Sequence, residues 1–86
     1  GIKTKILEAM SMGVPVVTND VGAEGIAADD GKEFWVRNDS IAIAEQVDYL
    51  LEHYDVALRV AEAGKKLVED KYEWNRIWEG FQEVLT

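Results

Sequence analysis

Gly13 and Pro15, two residues apart in the run Leu7-Glu8-Ala9-Met10-Ser11-Met12-Gly13-Val14-Pro15-Val16-Val17, constrain the chain more than any other pair. Upstream of them Ile2, Ile6, Ala9, Met10 and Gly13 recur at helical spacing, so residues 3–12 are predicted to form a short amphipathic helix. Gly13 is placed to stop that helix at the C′ position, where a left-handed backbone is needed. Pro15 cannot continue a helix but is tolerated as the first residue of a strand. Pro15-Val16-Val17-Thr18 then reads as a strand that is apolar on both faces, the mark of a parallel, covered sheet. A helix broken directly into such a strand commits the chain to layered packing of helices on a sheet.

The remainder agrees with that commitment. Residues 19–32 are predicted to be a turn-rich loop, with Gly22, Gly25 and the turn Asp29-Asp30-Gly31. Glu33-Phe34-Trp35-Val36-Arg37 reads as a second strand. From Asn38 onward the pattern is helical. Asp39 or Ser40 caps a helix running to about Glu52, with Ile43, Ala44, Val47, Leu50 and Leu51 inward. A further helix starts at Asp55 and buries Ala57, Val60, Ala61, Gly64, Leu67 and Val68; the small residues there allow close approach of a neighbour. A last helix, about Trp74–Leu85, carries Trp74, Ile77, Trp78, Phe81, Val84 and Leu85 on one side. The expected fold is α/β: a partial doubly wound, Rossmann-like half-domain with two short parallel strands, about four helices and a helical C-terminal half.

Charge narrows the partners. The chain of 86 residues has a formal net charge of −8, of which −2 falls in residues 1–38 and −6 in residues 39–86. That balance gives no general attraction to nucleic acid or anionic lipid, so a helical DNA-binding domain is disfavoured. The first seven residues are the local exception, with two lysines and no acid. A contact within a few ångströms outweighs charges beyond a Debye length of about 10 Å, so a phosphate can be drawn there. There is no cysteine, hence no disulfide or thiolate chemistry. No apolar run approaches the roughly 18 residues of a membrane span, and no signal peptide is evident, so a soluble, cytoplasmic location is expected. Asn38-Asp39-Ser40 fits the glycosylation sequon, but helix capping is the better reading of these residues.

The best binding candidate is the opening turn, Gly1, Ile2, Lys3, Thr4 and Lys5. A helix N-terminus presents unpaired N–H groups and the positive end of the helix dipole, and two lysines flank it. It is not a Walker loop, because G-x-x-x-x-G-K-[ST] is absent despite Lys3-Thr4. Glu8 lies five residues after Lys3, about one and a half turns along, within reach of a group attached to a bound anion. Most helix carboxylates are merely exposed, but Leu7, Ala9 and Met10 make this turn apolar and argue for a partner. Phosphate first and hydroxyl-bearing sugar second is the chemistry that suits such a corner.

Thr18, Gly22 and Glu24 follow the first strand, and ligands of open α/β sheets sit beyond the carboxyl ends of strands. A donor-loop role and a purely structural role both stand for them, Glu24 as a turn cap included. His53 lacks nearby partners for catalysis or metal binding and is read as interacting with a helix C-terminus. The carboxylates of residues 39–86 are read as a solvated surface, and Trp74, Trp78 and Phe81 as core or interface.

The run Ile6-Leu7-Glu8-Ala9-Met10-Ser11-Met12-Gly13-Val14-Pro15-Val16-Val17 resembles the nucleotide-binding half of two-domain GT-B glycosyltransferases, the large retaining group with a Glu-(seven residues)-Glu signature. The likeness continues through Thr18-Asn19-Asp20-Val21-Gly22-Ala23-Glu24-Gly25-Ile26 to Tyr72-Glu73-Trp74, and so covers nearly the whole chain. Glu8 matches the second signature glutamate; the first falls one position before Gly1. The resemblance implies a UDP- or GDP-linked sugar as donor, with no other cofactor and no metal. It implies that Gly1–Lys5 hold the diphosphate and that Glu8 accepts hydrogen bonds from the ribose hydroxyls without acting as acid or base. The acceptor, a glycan or lipid-linked sugar, would come through an N-terminal domain, and the inner face of a membrane is a second station for the whole enzyme.

A GT-B half-domain of this kind is roughly twice as long, within the usual size of about 100–200 residues per domain. The chain is therefore expected to be one piece of a larger enzyme, inactive alone. Two parallel strands do not make a stable sheet unaided, so self-association by edge pairing or helix exchange is expected, with the last helix adding apolar surface. The competing reading is a non-catalytic protein-interaction module that docks through its aromatic last helix.

Overall fold

The computed structural model describes residues 1–71. In chain order they form helix α1 (Ile2–Ser11), strand β1 (Val17–Thr18), the short helix α2 (Asp20–Ala23), strand β2 (Trp35–Val36), and helices α3 (Ser40–Glu52) and α4 (Tyr54–Lys71). The expected helix Trp74–Leu85 and the Tyr72-Glu73-Trp74 motif lie outside the described residues. Among the described residues four helices and two strands are present, the fourth helix being α2 within what the sequence pattern reads as loop.

Gly13 ends α1 as expected. Its φ is +71°, its N–H donates to Met10 O at 3.0 Å, and Val14 N–H reaches back to Ala9 O at 3.1 Å. These two bonds are the Schellman arrangement, which satisfies the last carbonyls of the helix. The chain then enters β1, which pairs in parallel with β2 in the register Val17↔Trp35 and Thr18↔Val36. Trp35 N–H donates to Val16 O at 3.0 Å and Arg37 N–H to Thr18 O at 2.8 Å. Both strands are shorter than the apolar runs that predict them, although an isolated parallel bridge joins Asp30 to Phe34 just before β2.

Successive strand residues point to opposite faces of a sheet, and here both faces are covered. Phe34 joins Ile6, Met10, Ile26 and Val68 on one face, with Val16 and Val36 packed alongside. Trp35 joins Leu50, Ala57 and Val60 on the other, with Val17 beside it. Met10 and Phe34 are each only 1% exposed and anchor the first cluster. The doubly covered sheet and mixed α/β layering are those of a partial Rossmann-like half-domain.

Helix α4 buries the stripe read from the sequence: Ala57, Val60, Ala61, Gly64 and Val68 are buried, and Leu67 is half-buried. Gly64 explains the small residues. A Cβ there would stand 2.8 Å from the Glu33 carbonyl oxygen and 3.3 Å from Met10 Cε. Helix α3 departs from its expected stripe. Asp39 caps it, accepting from Ala42 N–H at 2.8 Å, yet only Leu50 is buried; Ile43 is half-buried, and Ala44, Val47 and Leu51 are exposed. The apolar side of α3 is wider than the sheet and helix beneath it. Ile2, also expected inward, is 58% exposed because it lies a full turn beyond Ile6 and past the packed cluster. Among the described residues no helix is long and apolar enough to cross a membrane.

Candidate functional site

The first turn of α1 has bare donors. Its earliest helical bond is Lys5 N–H to Gly1 O at 3.4 Å, so the N–H groups of Ile2, Lys3 and Thr4 precede any intrahelical partner. No side chain caps this end and no acid sits in the first turn. Gly1 through Lys5 are all exposed. A run of unpaired N–H groups at the positive end of a helix dipole, with lysines on both sides, is suited to an anion.

Helical geometry sorts the side chains around that end. Lys3 lies on the same face as Ile6 and Met10, three and seven residues on, and so is directed toward the elements that α1 packs against. The loop after α2 meets it there. Gly25 has φ +79°, and a Cβ on it would stand 3.3 Å from Lys3 Nζ. The chain turns at Gly25 in a conformation that side-chain-bearing residues rarely adopt, directly against the Lys3 ammonium. The opening turn and the loop after β1, two separate candidates in the sequence, are therefore neighbours in space. The sequence signal for this was the second glycine of the 19–32 loop, Gly25, whose partner could not be named without the fold.

Glu8 is on the other side of α1, sharing a face with Thr4 and Lys5. It is exposed, and among the described residues its carboxylate has no hydrogen bond or ion pair; the apolar flanks predicted a partner, and the described chain supplies none. Lys3, Lys5 and Glu24 likewise form no ion pair among the described residues. The corner thus holds two ammonium groups, bare helix donors and two carboxylates that no other described residue engages.

Thr18 and Gly22 sit underneath rather than at the surface. Both are buried, and a Cβ on Gly22 would collide with Thr18 Oγ1 and stand 3.2 Å from Ile6 Cδ1. Gly22 also donates its N–H to Asn19 Oδ1 at 2.8 Å, the bond that caps α2. The closeness of Gly22 to Thr18 and Ile6 holds α2 against α1, so it fixes the position of the exposed Glu24 at the end of α2. The start of α2 is clasped to the end of β2. Asp20 N–H donates to Asn38 Oδ1 at 2.9 Å, and Asn38 Nδ2 donates to Asp20 Oδ2 at 2.8 Å. Sequence reasoning missed α2, although Asn19 before Asp20 is a capping signal.

His53 lies where expected, at the end of α3. Its Nδ1 is 2.9 Å from Tyr49 O, one of the last helix carbonyls, and its ring stacks on Tyr49 with centroids 4.0 Å apart. Among the described residues no three His, Asp or Glu side chains converge in a way that would hold a metal ion.

The described residues form a parallel α/β unit with an exposed, glycine-led helix N-terminus, a geometry that suits an anion. Residues 1–53 match the family model described as glycosyl transferases group 1, and the chain belongs to that family. No curated protein and no solved structure matches the chain. The matched segment runs from the first turn of α1 to His53 and contains every residue of the corner.

Proposed function

We propose that this chain is the donor-binding part of a GT-B glycosyltransferase of the Glu-x7-Glu type, which transfers a sugar from a UDP- or GDP-linked donor to a glycan or lipid-linked acceptor. The diphosphate rests on the N–H groups of Ile2, Lys3 and Thr4, with the Lys3 and Lys5 ammonium groups offsetting the charge that develops as the glycosidic bond breaks. Glu8 reads the ribose, since one carboxylate accepts from two vicinal hydroxyls at once. Thr18, Gly22 and Glu24 form the donor loop, the first two by holding α2 in place and Glu24 from its exposed end. The acceptor is presented by another domain, and the unit works at the cytoplasmic side, in solution or against a membrane's inner face.

The observation that carries this reading is the meeting of a bare α1 N-terminus, Lys3 against Gly25, and an unengaged Glu8 one turn further on, all inside the family-matched segment. Titration of UDP or GDP, followed by amide chemical shifts, is expected to move Ile2–Glu8 and the 18–25 loop. Lys3→Ala should weaken UDP and pyrophosphate alike by roughly tenfold, the loss of one charge-assisted contact. Glu8→Gln should weaken UDP but leave pyrophosphate unchanged. Shifts confined to residues outside this corner, or equal loss of both ligands with Glu8→Gln, would overturn the assignment.

A further inference from the structure

Asp30-Gly31 is the one place in the chain where an aspartate precedes a glycine, and no asparagine precedes a glycine. Glycine has no Cβ to shield its amide nitrogen, so that nitrogen can attack the side-chain carboxyl carbon of the residue before it. In that step a bond forms between Gly31 N and Asp30 Cγ. The carboxyl loses a hydroxyl, the amide loses its proton, and the two leave as water. The product is a cyclic succinimide, and solvent water then adds at either ring carbonyl. Opening at Cγ restores aspartate. Opening at the main-chain carbonyl leaves an isoaspartate, in which the chain runs on through Cβ and Cγ. Mass is unchanged, and water is the sole co-reactant.

The fold holds both reacting groups off this path. Gly31 commits its N–H to Phe34 O at 2.7 Å. In β2 the residues facing β1 are Trp35 and Arg37, so Val36 turns its backbone N–H and C=O outward, toward the turn. Asp30 Oδ1 accepts from Val36 N–H and from Arg37 Nη1, each at 3.0 Å, and Oδ2 lies 3.3 Å from the same nitrogen. Arg37 is itself held in place: Nη1 also donates to Val36 O at 2.6 Å, and Nη2 donates to Gln46 Oε1 of α3 at 3.1 Å. Glu33, whose side chain is 9% exposed, closes the turn by accepting from Asp29 N–H at 2.9 Å. The Asp30 carboxyl must leave Val36 and Arg37, and Gly31 must leave Phe34, before the ring can close. Water is not excluded, since the Asp30 side chain is 53% exposed. Restraint here comes from the clasp rather than from burial.

We propose that Asp30 is a site of isoaspartate formation gated by the Arg37 clasp: unreactive while β2 holds the turn, and open to modification whenever the turn comes loose. One conversion makes the loosening permanent. In isoaspartate the carboxylate sits directly on Cα and the main chain is one carbon longer, so neither the reach to Val36 N–H nor the Asp30↔Phe34 bridge is kept. The residues concerned lie within 29–46, so the inference stands apart from the anion-binding corner.

The test is prolonged incubation of the 86-residue chain in warm neutral buffer, once folded and once in urea. Peptide mapping with electron-transfer fragmentation then distinguishes isoaspartate from aspartate at equal mass. In urea Asp30 should convert ahead of every other aspartate. In the folded chain it should convert at least about tenfold more slowly, because the reaction waits on local opening. Arg37→Ala should raise the folded-state rate about three- to tenfold, the loss of a partly exposed charged contact, with the rate in urea and the circular dichroism spectrum unchanged. Gln46→Ala removes one anchor of the guanidinium and should give a smaller rise; it carries the test should Arg37→Ala fail to fold. Asp39, followed by Ser40, is the internal reference. Another aspartate converting first in urea, equal rates folded and unfolded, a folded-state rate that neither variant raises, or a rise shared equally by Asp39 would each overturn the proposal.

Discussion

Replacing Gly64 with alanine sets two physical effects against each other, and the structure decides the sign. Gly64 lies in the interior of α4, where glycine costs about 1 kcal/mol relative to alanine through backbone entropy alone. On propensity, Gly64→Ala should stabilise the chain. The new methyl carbon would, however, stand 2.8 Å from the Glu33 carbonyl oxygen and 3.3 Å from Met10 Cε. Met10 is a flexible side-chain end and yields by a few tenths of an ångström. The Glu33 carbonyl belongs to the backbone beside Phe34, which is 1% exposed, and it cannot retreat without disturbing that cluster. Overpacking of this kind costs about 1–3 kcal/mol. The contact lies at the upper end of that range because the opposing atom is backbone, so the net change is a destabilisation of about 1–2 kcal/mol. Urea denaturation followed at 222 nm measures it directly. For a domain of this size the same change lowers the melting temperature by about 4–8 °C per kcal/mol. Trimming the flexible neighbour with Met10→Ala in the same chain should not restore stability. A Gly64→Ala variant more stable than the parent would show that α4 and the 33–34 segment are not in close contact, and with it the account of the small-residue stripe would fall.

Two further predictions concern the loops. Asp30→Ala should cost only about 0.5–1 kcal/mol in urea denaturation, since the Asp30–Arg37 pair is more than a third exposed on the Asp30 side. A loss several times larger would mean that the pair is not screened by solvent as its exposure implies. Gly25→Ala, at φ +79°, should destabilise the chain by about 1–2 kcal/mol through left-handed backbone strain and displace the Lys3 ammonium, so a thermal melt should fall and UDP affinity with it. An alanine at this position with wild-type melting would remove the strained turn from the picture.

Much of the fold was legible in the residues. The Gly13 stop, the cap at Asp39 or Ser40 and the α4 stripe each follow from a local rule that the tertiary structure has no reason to override; each is found in place, with Asp39 as the capping residue. The apolar Val16-Val17 run told correctly that the sheet is covered on both faces. The misses have a shared cause. Periodicity shows that a helix face is apolar but not what lies against it, so Val47 and Leu51 read as core though they are exposed. Short elements carry no periodicity at all, and α2, four residues with a central Gly22, passed for loop. The corner around Lys3 was half legible: a glycine-led turn with two lysines is visible in one dimension, whereas its meeting with Gly25 depends on how α1 and α2 pack. The same limit applies to Arg37, whose pairing with Asp30 crosses a turn that no spacing rule connects.

Helix α4 has a wider consequence. Its early turns supply Ala57 and Val60 to the Trp35 cluster, and its later turns supply Val68 to the Phe34 cluster. One rigid rod therefore spans both halves of the interior like a shared beam. Neither half can melt and leave the other standing, which binds two modest apolar clusters into a single cooperative unit.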